Sequence, residues 1–443
     1  MSTTSDPLQR ETAPATLASL YERMRFTSAH AKIAIALFIV FVIESWEQLA
    51  LVYVSGDLMT SFGIDEVQLG WVLSAVAIGM IPGALIWGPL ADRYGRRPIT
   101  IVSLIAYGVI AACVAFAPSY EVLFALRILS GFALAGAYTV TFPYFLEMMP
   151  TAVRGRATVL LSIGWPIGLL AALGATTLLG DLGWHVVALA SAIACIWVVV
   201  VWFWVPESPY FLVRRGRDDQ ARVVLHRLGV DTQGDLEIVA EREPTSSSPL
   251  ALVRRPLAVR TLLMLIVNFA FNWGYWGLQV WLPVLLQDRG LSLDASLGFV
   301  ALSAVFMIPG YLVAAWLTKK LGRKKVFLGF VLGSILSGIL FAYSWDIPSL
   351  YVANFLLSFF ILGGWGVWNT WNGEFYPTRV RAAGYSWATS AQLLANALAP
   401  AAVGALLMAS TSFTVTLLFM VAFLVVTFAA AIPLPETEGQ PLD

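Results

Sequence analysis

The sequence predicts an all-α membrane protein, with twelve transmembrane helices in two six-helix halves. Three observations carry this. The 443 residues are 59% hydrophobic and only 12% charged, about half the charge of an ordinary soluble domain. The apolar residues fall in continuous runs of about 20, the length of a membrane-crossing helix, not in the alternating segments of about 10 that mark an outer-membrane barrel. The chain also repeats itself. Asp92-Arg-Tyr-Gly95-Arg96-Arg97 returns as Lys319-Lys-Leu-Gly322-Arg323-Lys324, an offset of 227 (322 − 95). Glu147-x-x-Pro150-Thr151-x-x-Arg154 returns as Glu374-x-x-Pro377-Thr378-x-x-Arg381, again 227 (374 − 147). Pro206-Glu207-Ser208 returns as Pro435-Glu436-Thr437, at 229 (436 − 207). Parallel halves of this kind enclose a midplane site in secondary transporters.

The expected spans are 31–54, 68–91, 97–117, 120–144, 155–179 and 184–206, then 260–286, 295–318, 324–344, 349–373, 381–408 and 411–433. They divide the chain into a tail (1–30), a first bundle (31–206), a polar linker (207–259), a second bundle (260–433) and a closing tail (434–443). The linker is expected to hold one or two short surface helices. Residues 21–26 read equally as a surface helix or as plain tail. All 27 Lys and Arg except Arg127 and Arg289 fall at one side of this topology or at its edge. The positive-inside rule then makes both termini cytoplasmic in a multi-pass protein of the cell's cytoplasmic membrane.

Span one carries the outstanding feature, Glu44-Ser-Trp46-Glu47 inside an apolar run. A carboxylate there costs a few kcal/mol, so ionisable groups within a span mark function by default. At i and i+3 both acids share a helix face. Span two carries Gly79-x-x-x-Gly83, and span four Gly131-x-x-x-x-Gly136, both suited to close helix approach. Span four also holds Arg127, the one basic residue deep in a span. At 1.5 Å per residue, Glu47 and Arg127 both lie about 10 Å below the outer face. They are therefore expected to pair, which lowers the cost of burying each. Glu47 is then the proton-binding residue and Arg127 its partner; a static brace is the alternative. Glu44, one turn deeper, either contacts substrate or is itself the proton site.

Trp46, Tyr138 and Trp165 add aromatic surface to the first half. Span seven supplies Asn268, Asn272, Trp276 and Gln279, span ten Trp365, Trp368, Asn369 and Asn372, and span eleven Trp387, Gln392 and Asn396. Carboxamides are costly in hydrocarbon, so these are expected to line a polar cavity. Indoles offer stacking and cation–π surfaces. Seventeen Trp favour a flat or ring-bearing small molecule over a sugar, although interfacial belts account for some of them. At the inner face, Asp92, Arg96, Arg97, Glu147, Arg154, Glu207, Arg214, Glu374, Arg381 and Glu436 are read as a gate of inter-helix ion pairs that holds the cytoplasmic side shut.

Other chemistries find no support. There is no Walker motif, and His30, His185 and His226 have no metal-ligand or triad spacing. Neither enzyme activity nor metal nor cofactor is expected, the proton gradient being the energy source. Cys113 and Cys195 are expected as buried thiols without a disulfide. Net charge is zero, and no nucleic-acid partner is expected. The partners are a small organic substrate, the proton and the lipid bilayer, with the protein itself a monomer.

Gly88-Pro-Leu-Ala-Asp92-Arg-Tyr-Gly95-Arg96-Arg97 resembles the signature loop of the major facilitator superfamily, and the resemblance covers essentially the whole chain. Arg127-Ile-Leu-Ser-Gly131, Pro143-Tyr144-x-x-Glu147-x-x-Pro150 and Pro206-Glu207-Ser208-Pro209 are similar to sugar porters and their relatives. Glu44-x-x-Glu47 has the spacing of the acidic pair in metabolite:proton symporters, a group that includes aromatic-acid and nicotinate permeases and synaptic-vesicle-protein-related transporters. Many organic-acid members carry Arg seven residues before the span-eleven proline, where this chain has Leu393. The resemblance implies that Glu47 and Arg127 form the proton-coupling pair. It implies a symporter importing an aromatic or heteroaromatic acid or a zwitterion. A proton antiporter exporting drugs or organic cations, a proton-linked sugar porter and a non-transporting receptor are the alternatives.

Overall fold

The computed structural model describes residues 15–230, 238–239, 252–254, 257–372, 374–376, 380–409 and 412–438. Twelve described helices are long and apolar enough to cross a membrane. They are α1 Ser28–Leu49, α2 Glu66–Tyr94, α3 Arg96–Val114, α4 Tyr120–Met148, α5 Leu160–Leu182, α6 Trp184–Trp204, α7 Leu257–Gln287, α8 Leu293–Leu321, α9 Arg323–Ala342, α10 Ile347–Asn372, α11 Gly384–Met408 and α12 Phe413–Ala431. In hydrocarbon a spanning segment must satisfy its own backbone, which a helix does. Polar caps start several of them where the chain leaves that medium. Asp65 and Gln68 form a reciprocal cap on α2, and Ser119, Ser292 and Ser412 cap α4, α8 and α12.

Several span limits shift by a few residues, and two spans depart further. The predicted run 31–54 is helical only to Leu49; residues 50–54 turn, and a short helix, Ser55–Phe62, follows until Gly63 turns the chain at φ 62°. Helix α5 is interrupted at Ile163, between Thr151–Ser162 and Gly164–Leu179. Pro166 lacks the N–H that would continue the ladder there.

The linker begins with two short helices, Pro209–Arg214 and Asp218–Arg227. The helix Leu17–Arg23 is not laid along a surface: Tyr21 is fully buried, and its hydroxyl donates to the Glu147 carbonyl at 2.6 Å. The one strand pairing among the described residues is a two-residue parallel match of Ala15–Thr16 with Ile238–Val239. Cys113 is exposed and Cys195 half-buried, both free. The expectation of buried thiols fails for Cys113, whereas Cys195 turns toward α3, where its thiol donates to the Ile105 carbonyl at 3.6 Å.

An even number of crossings puts Leu17–Arg23, the helices Pro209–Arg214 and Asp218–Arg227, and the end of α12 on one side, called here the termini end. At the far end the halves interlock. Helix α2 lies against α11, and α5 against α8. A Cβ on Gly70 would sit 3.0 Å from the Pro400 carbonyl oxygen, and one on Gly404 2.5 Å from the Glu66 carbonyl oxygen. Glycine is needed at both places because the backbones of α2 and α11 touch.

Candidate functional site

The site is built on α1. Glu47 and Arg127 are 3% and 2% exposed and form an ion pair through Glu47 Oε1 and Arg127 Nη1. Two hydroxyls complete the carboxylate shell. Tyr107 on α3 donates to Oε2 at 2.7 Å, and Ser130 on α4 donates to Oε1 at 2.9 Å. Arg127 Nε has no hydrogen-bond partner among the described residues. A lone ion pair in an apolar interior scarcely offsets its desolvation, and added hydrogen bonds tip the balance. Tyr107 and Ser130 escaped sequence reasoning. Ser130 stands three residues after Arg127 and so shares its helix face, a usable signal; Tyr107 carries no such signal.

Glu44 is 2% exposed, and its Oε1 has no hydrogen-bond partner among the described residues. It faces the region of Tyr138, whose hydroxyl accepts from Gln392 Nε2 at 3.3 Å across the two halves. The Trp165 indole N–H donates to the Tyr275 hydroxyl at 2.8 Å, again across the halves, and Trp276 meets Trp165 edge-on at 5.7 Å. A small cavity of about 10 Å³ lies beside them, lined by Gln48, Leu73, Val76, Ala77, Trp276 and Asn396. Asn396 Oδ1 is buried there without a hydrogen-bond partner among the described residues. Glu44, Tyr138, Trp165, Trp276, Gln392 and Asn396 therefore converge at the mid-depth contact between halves. Gln48, one residue past the acidic pair, joins them and was missed.

Other predicted residues lie elsewhere. Trp46 turns into the first half, where its indole donates to Ser191 Oγ at 2.7 Å. Trp368 packs on Phe327 and Trp371 inside the second half, and its indole donates to Asn268 Oδ1 at 3.1 Å. Asn268 in turn reaches Asn372 Oδ1 at 3.5 Å, and Asn272 donates to the Asn268 carbonyl at 2.7 Å. These amides are costly in hydrocarbon, as expected, but three of them meet that cost chiefly through one another, the backbone and an indole, not through a shared cavity. Asn272 Oδ1 keeps no partner among the described residues. Gln279 lines a separate small cavity between α7, α8 and α10, with Asn354 and Ser358. Trp365 stacks on Phe271 at 5.8 Å and also meets Tyr275 at 6.2 Å, so it borders the Trp165 layer, while Asn369 and Trp387 are half-buried.

At the termini end the charged motifs form one cluster per half. Arg96 pairs with Asp92 and, at 3.4 Å, with Glu147. Glu207 accepts the backbone N–H of Arg96 at 2.9 Å and caps α3, while Arg97 lies over the Trp202 ring. In the second half Arg323 pairs with Glu374 and, at 2.8 Å, with Glu438. Glu436 accepts from Arg323 N and Lys324 N, both at 3.0 Å, and caps α9. Among the described residues these pairs join segments of the same half, so in this conformation they brace each half. Arg214 is exposed. The side chains of Arg154 and Arg381 lie outside the described residues.

This architecture, two parallel six-helix halves closing on a buried acidic helix, defines a transporter of the major facilitator superfamily and not an enzyme. The chain belongs to the family described as sugar (and other) transporter, whose profile matches residues 14–443. It is 33% identical to the niacin transporter NiaP of Acinetobacter baylyi, over 88% of this chain and 90% of that one. It is 28% identical to the 4-hydroxybenzoate transporter PcaK of the same organism, over 80% of each. Among solved structures, the inward-open xylose transporter XylE of E. coli aligns with a TM-score of 0.74, over 93% of this chain and 98% of that one, at 15% identity. At that identity the likeness concerns the fold.

Proposed function

We propose that this transporter imports a small aromatic or heteroaromatic carboxylic acid together with a proton, by alternating access across the cytoplasmic membrane, with the termini end cytoplasmic. The buried Glu47–Arg127 pair, with its two hydroxyl donors, carries this reading. Protonation of Glu47 removes the attraction that holds Arg127. The released guanidinium is the sole basic group deep in any span, and it needs a new counter-charge. A substrate carboxylate supplies one, so proton and acid are bound together more favourably than either alone. This is a coupling free energy in the ordinary sense. The aromatic layer of Trp165, Tyr275 and Trp276 suits a flat ring. The names of the 33% and 28% relatives point to the same substrate class.

The purified protein in liposomes, with an imposed inward proton gradient, is expected to accumulate labelled niacin or 4-hydroxybenzoate above equilibrium. Glu47→Gln is expected to lose that accumulation. Undiminished uphill uptake by the variant would reject the coupling role. A second reading, proton-linked export of an organic cation, is favoured by Glu44, one turn deeper, whose Oε1 has no hydrogen-bond partner among the described residues. Resistance to cationic dyes in expressing cells, without uptake of acids, would support that reading instead.

A further inference from the structure

Trp165 has a position that its aromatic character alone does not explain. On its own side it is clamped to α1. Ser45, between the two acids, donates its hydroxyl to the Trp165 carbonyl at 2.7 Å. Gly164 and Gly168 flank it on the α1 side: a Cβ on Gly164 would meet the Phe41 ring at 2.8 Å, and one on Gly168 would meet the Val42 carbonyl oxygen at 2.6 Å. Such contact lets α5 follow α1 as one body. On the other side the Trp165 indole crosses to the second half and donates to Tyr275 on α7. Immediately before it, the helix is interrupted at Ile163.

We propose that Trp165 is a positioning residue that transmits the state of the acidic helix to the other half and holds the far end shut, through a Ser45–Trp165–Tyr275 hydrogen-bond bridge. The bond joins the half-buried Trp165 indole to the buried Tyr275 hydroxyl in the conformation seen here. When the far end opens, water replaces each partner. Removing one partner therefore penalises the closed state, where the other is left unsatisfied, and spares the open one. The transport consequence rests on the function proposed above, but the conformational claim does not.

The test uses the full-length protein with Cys113 and Cys195 replaced by Ser and a reporter cysteine at Ala77, which lines the small central cavity. Labelling by a membrane-impermeant maleimide from the far side reads how often that end opens. Trp165→Phe and Tyr275→Phe should each raise the labelling rate about two- to tenfold, the scale set by one intramolecular hydrogen bond. The double variant should label no faster than either single one, because both remove the same bond. Ser45→Ala should shift labelling in the same direction by less. Unchanged labelling in the two single variants, or additive effects in the double, would overturn the proposal. Should Trp165→Phe fail to give a monodisperse protein, Tyr275→Phe, which keeps its ring, decides alone. Labelling needs no substrate, so a wild type that accumulates nothing counts against the transport reading and leaves this inference standing.

Discussion

At the scale of single residues, the core of the first half is held by a charge pair whose removal is costly in one direction only. Arg127→Leu leaves the Glu47 carboxylate buried with two hydroxyls and no cation. That should lower stability by about 3–5 kcal/mol. Replacing both partners, Glu47→Gln with Arg127→Leu, should cost less than Arg127→Leu alone, because no uncompensated charge remains. Melting temperatures of the purified variants in detergent check this; strictly additive losses would mean that the two side chains do not depend on each other. Glu44 differs from Glu47 in having an unsatisfied oxygen in the described structure. Glu44→Gln should therefore leave the melting temperature nearly unchanged while raising the apparent KM for substrate at least several-fold. A large loss of stability with unaltered transport would identify Glu44 as a packing residue.

At the scale of elements, the starts of α3 and α9 show why each repeat contains its glycine. Gly95 and Gly322 have φ of 112° and 85°, a region that favours glycine. A Cβ at either would fall 2.2 Å from Glu207 Oε2 or 2.4 Å from Glu436 Oε2, the carboxylates that cap the next helix. Gly95→Ala should cost on the order of 1–3 kcal/mol, whereas Gly56→Ala, which meets nothing within 4 Å, should be close to neutral in the same melting assay. The second cap is also sensitive to acid. Burial works to raise the Glu436 carboxyl, but N–H groups of Glu438, Arg323, Lys324 and Thr437 outweigh it and hold it below the ordinary glutamate value. A carboxyl depressed by folding adds stability above its unfolded pKa and loses it as pH falls through the folded one. Glu436→Gln should thus lower the melting temperature at pH 7, and the difference from wild type should shrink below about pH 4. A gap that stays constant down to pH 3 would exclude this origin.

At the scale of the whole molecule, the two halves share a plan but not its details. Lys319 stands where the first half has Asp92, and Arg323 instead takes Glu438 from beyond α12 as its second acid. The segment after α12 thereby completes a brace that the first half builds across the Gly95 turn, between the end of α2 and the start of α3. Truncation after Pro435 should loosen the second half selectively, removing Glu436 and Glu438 together. Protease sensitivity near α9 and α10 should rise while the first half stays protected; equal sensitivity in both halves would contradict the asymmetry. The far-end contact of α2 with α11 belongs to the same scale. Bulk at Gly404 would strike the Glu66 carbonyl and work against closure there.

Much of this protein can be read without coordinates, because a membrane restricts what a chain can do. Apolar run length determines the spans, the 227-residue repeat determines two halves, and the cost of a buried charge marks Glu44, Glu47 and Arg127 before any contact is seen. Helix counting even places Glu47 and Arg127 at one depth. Which way a side chain turns around its helix was decided only by packing. Trp46, Trp368, Asn268 and Asn372 have the composition of cavity residues, yet their polar atoms find partners inside one half. Tyr107 and Gln48 reach the site from positions that no periodicity singles out, whereas Ser130 is marked by its helical spacing from Arg127. Whether an ion pair braces one half or ties two together depends likewise on distances between helices far apart in sequence, and those are set by the three-dimensional fit of one backbone against another.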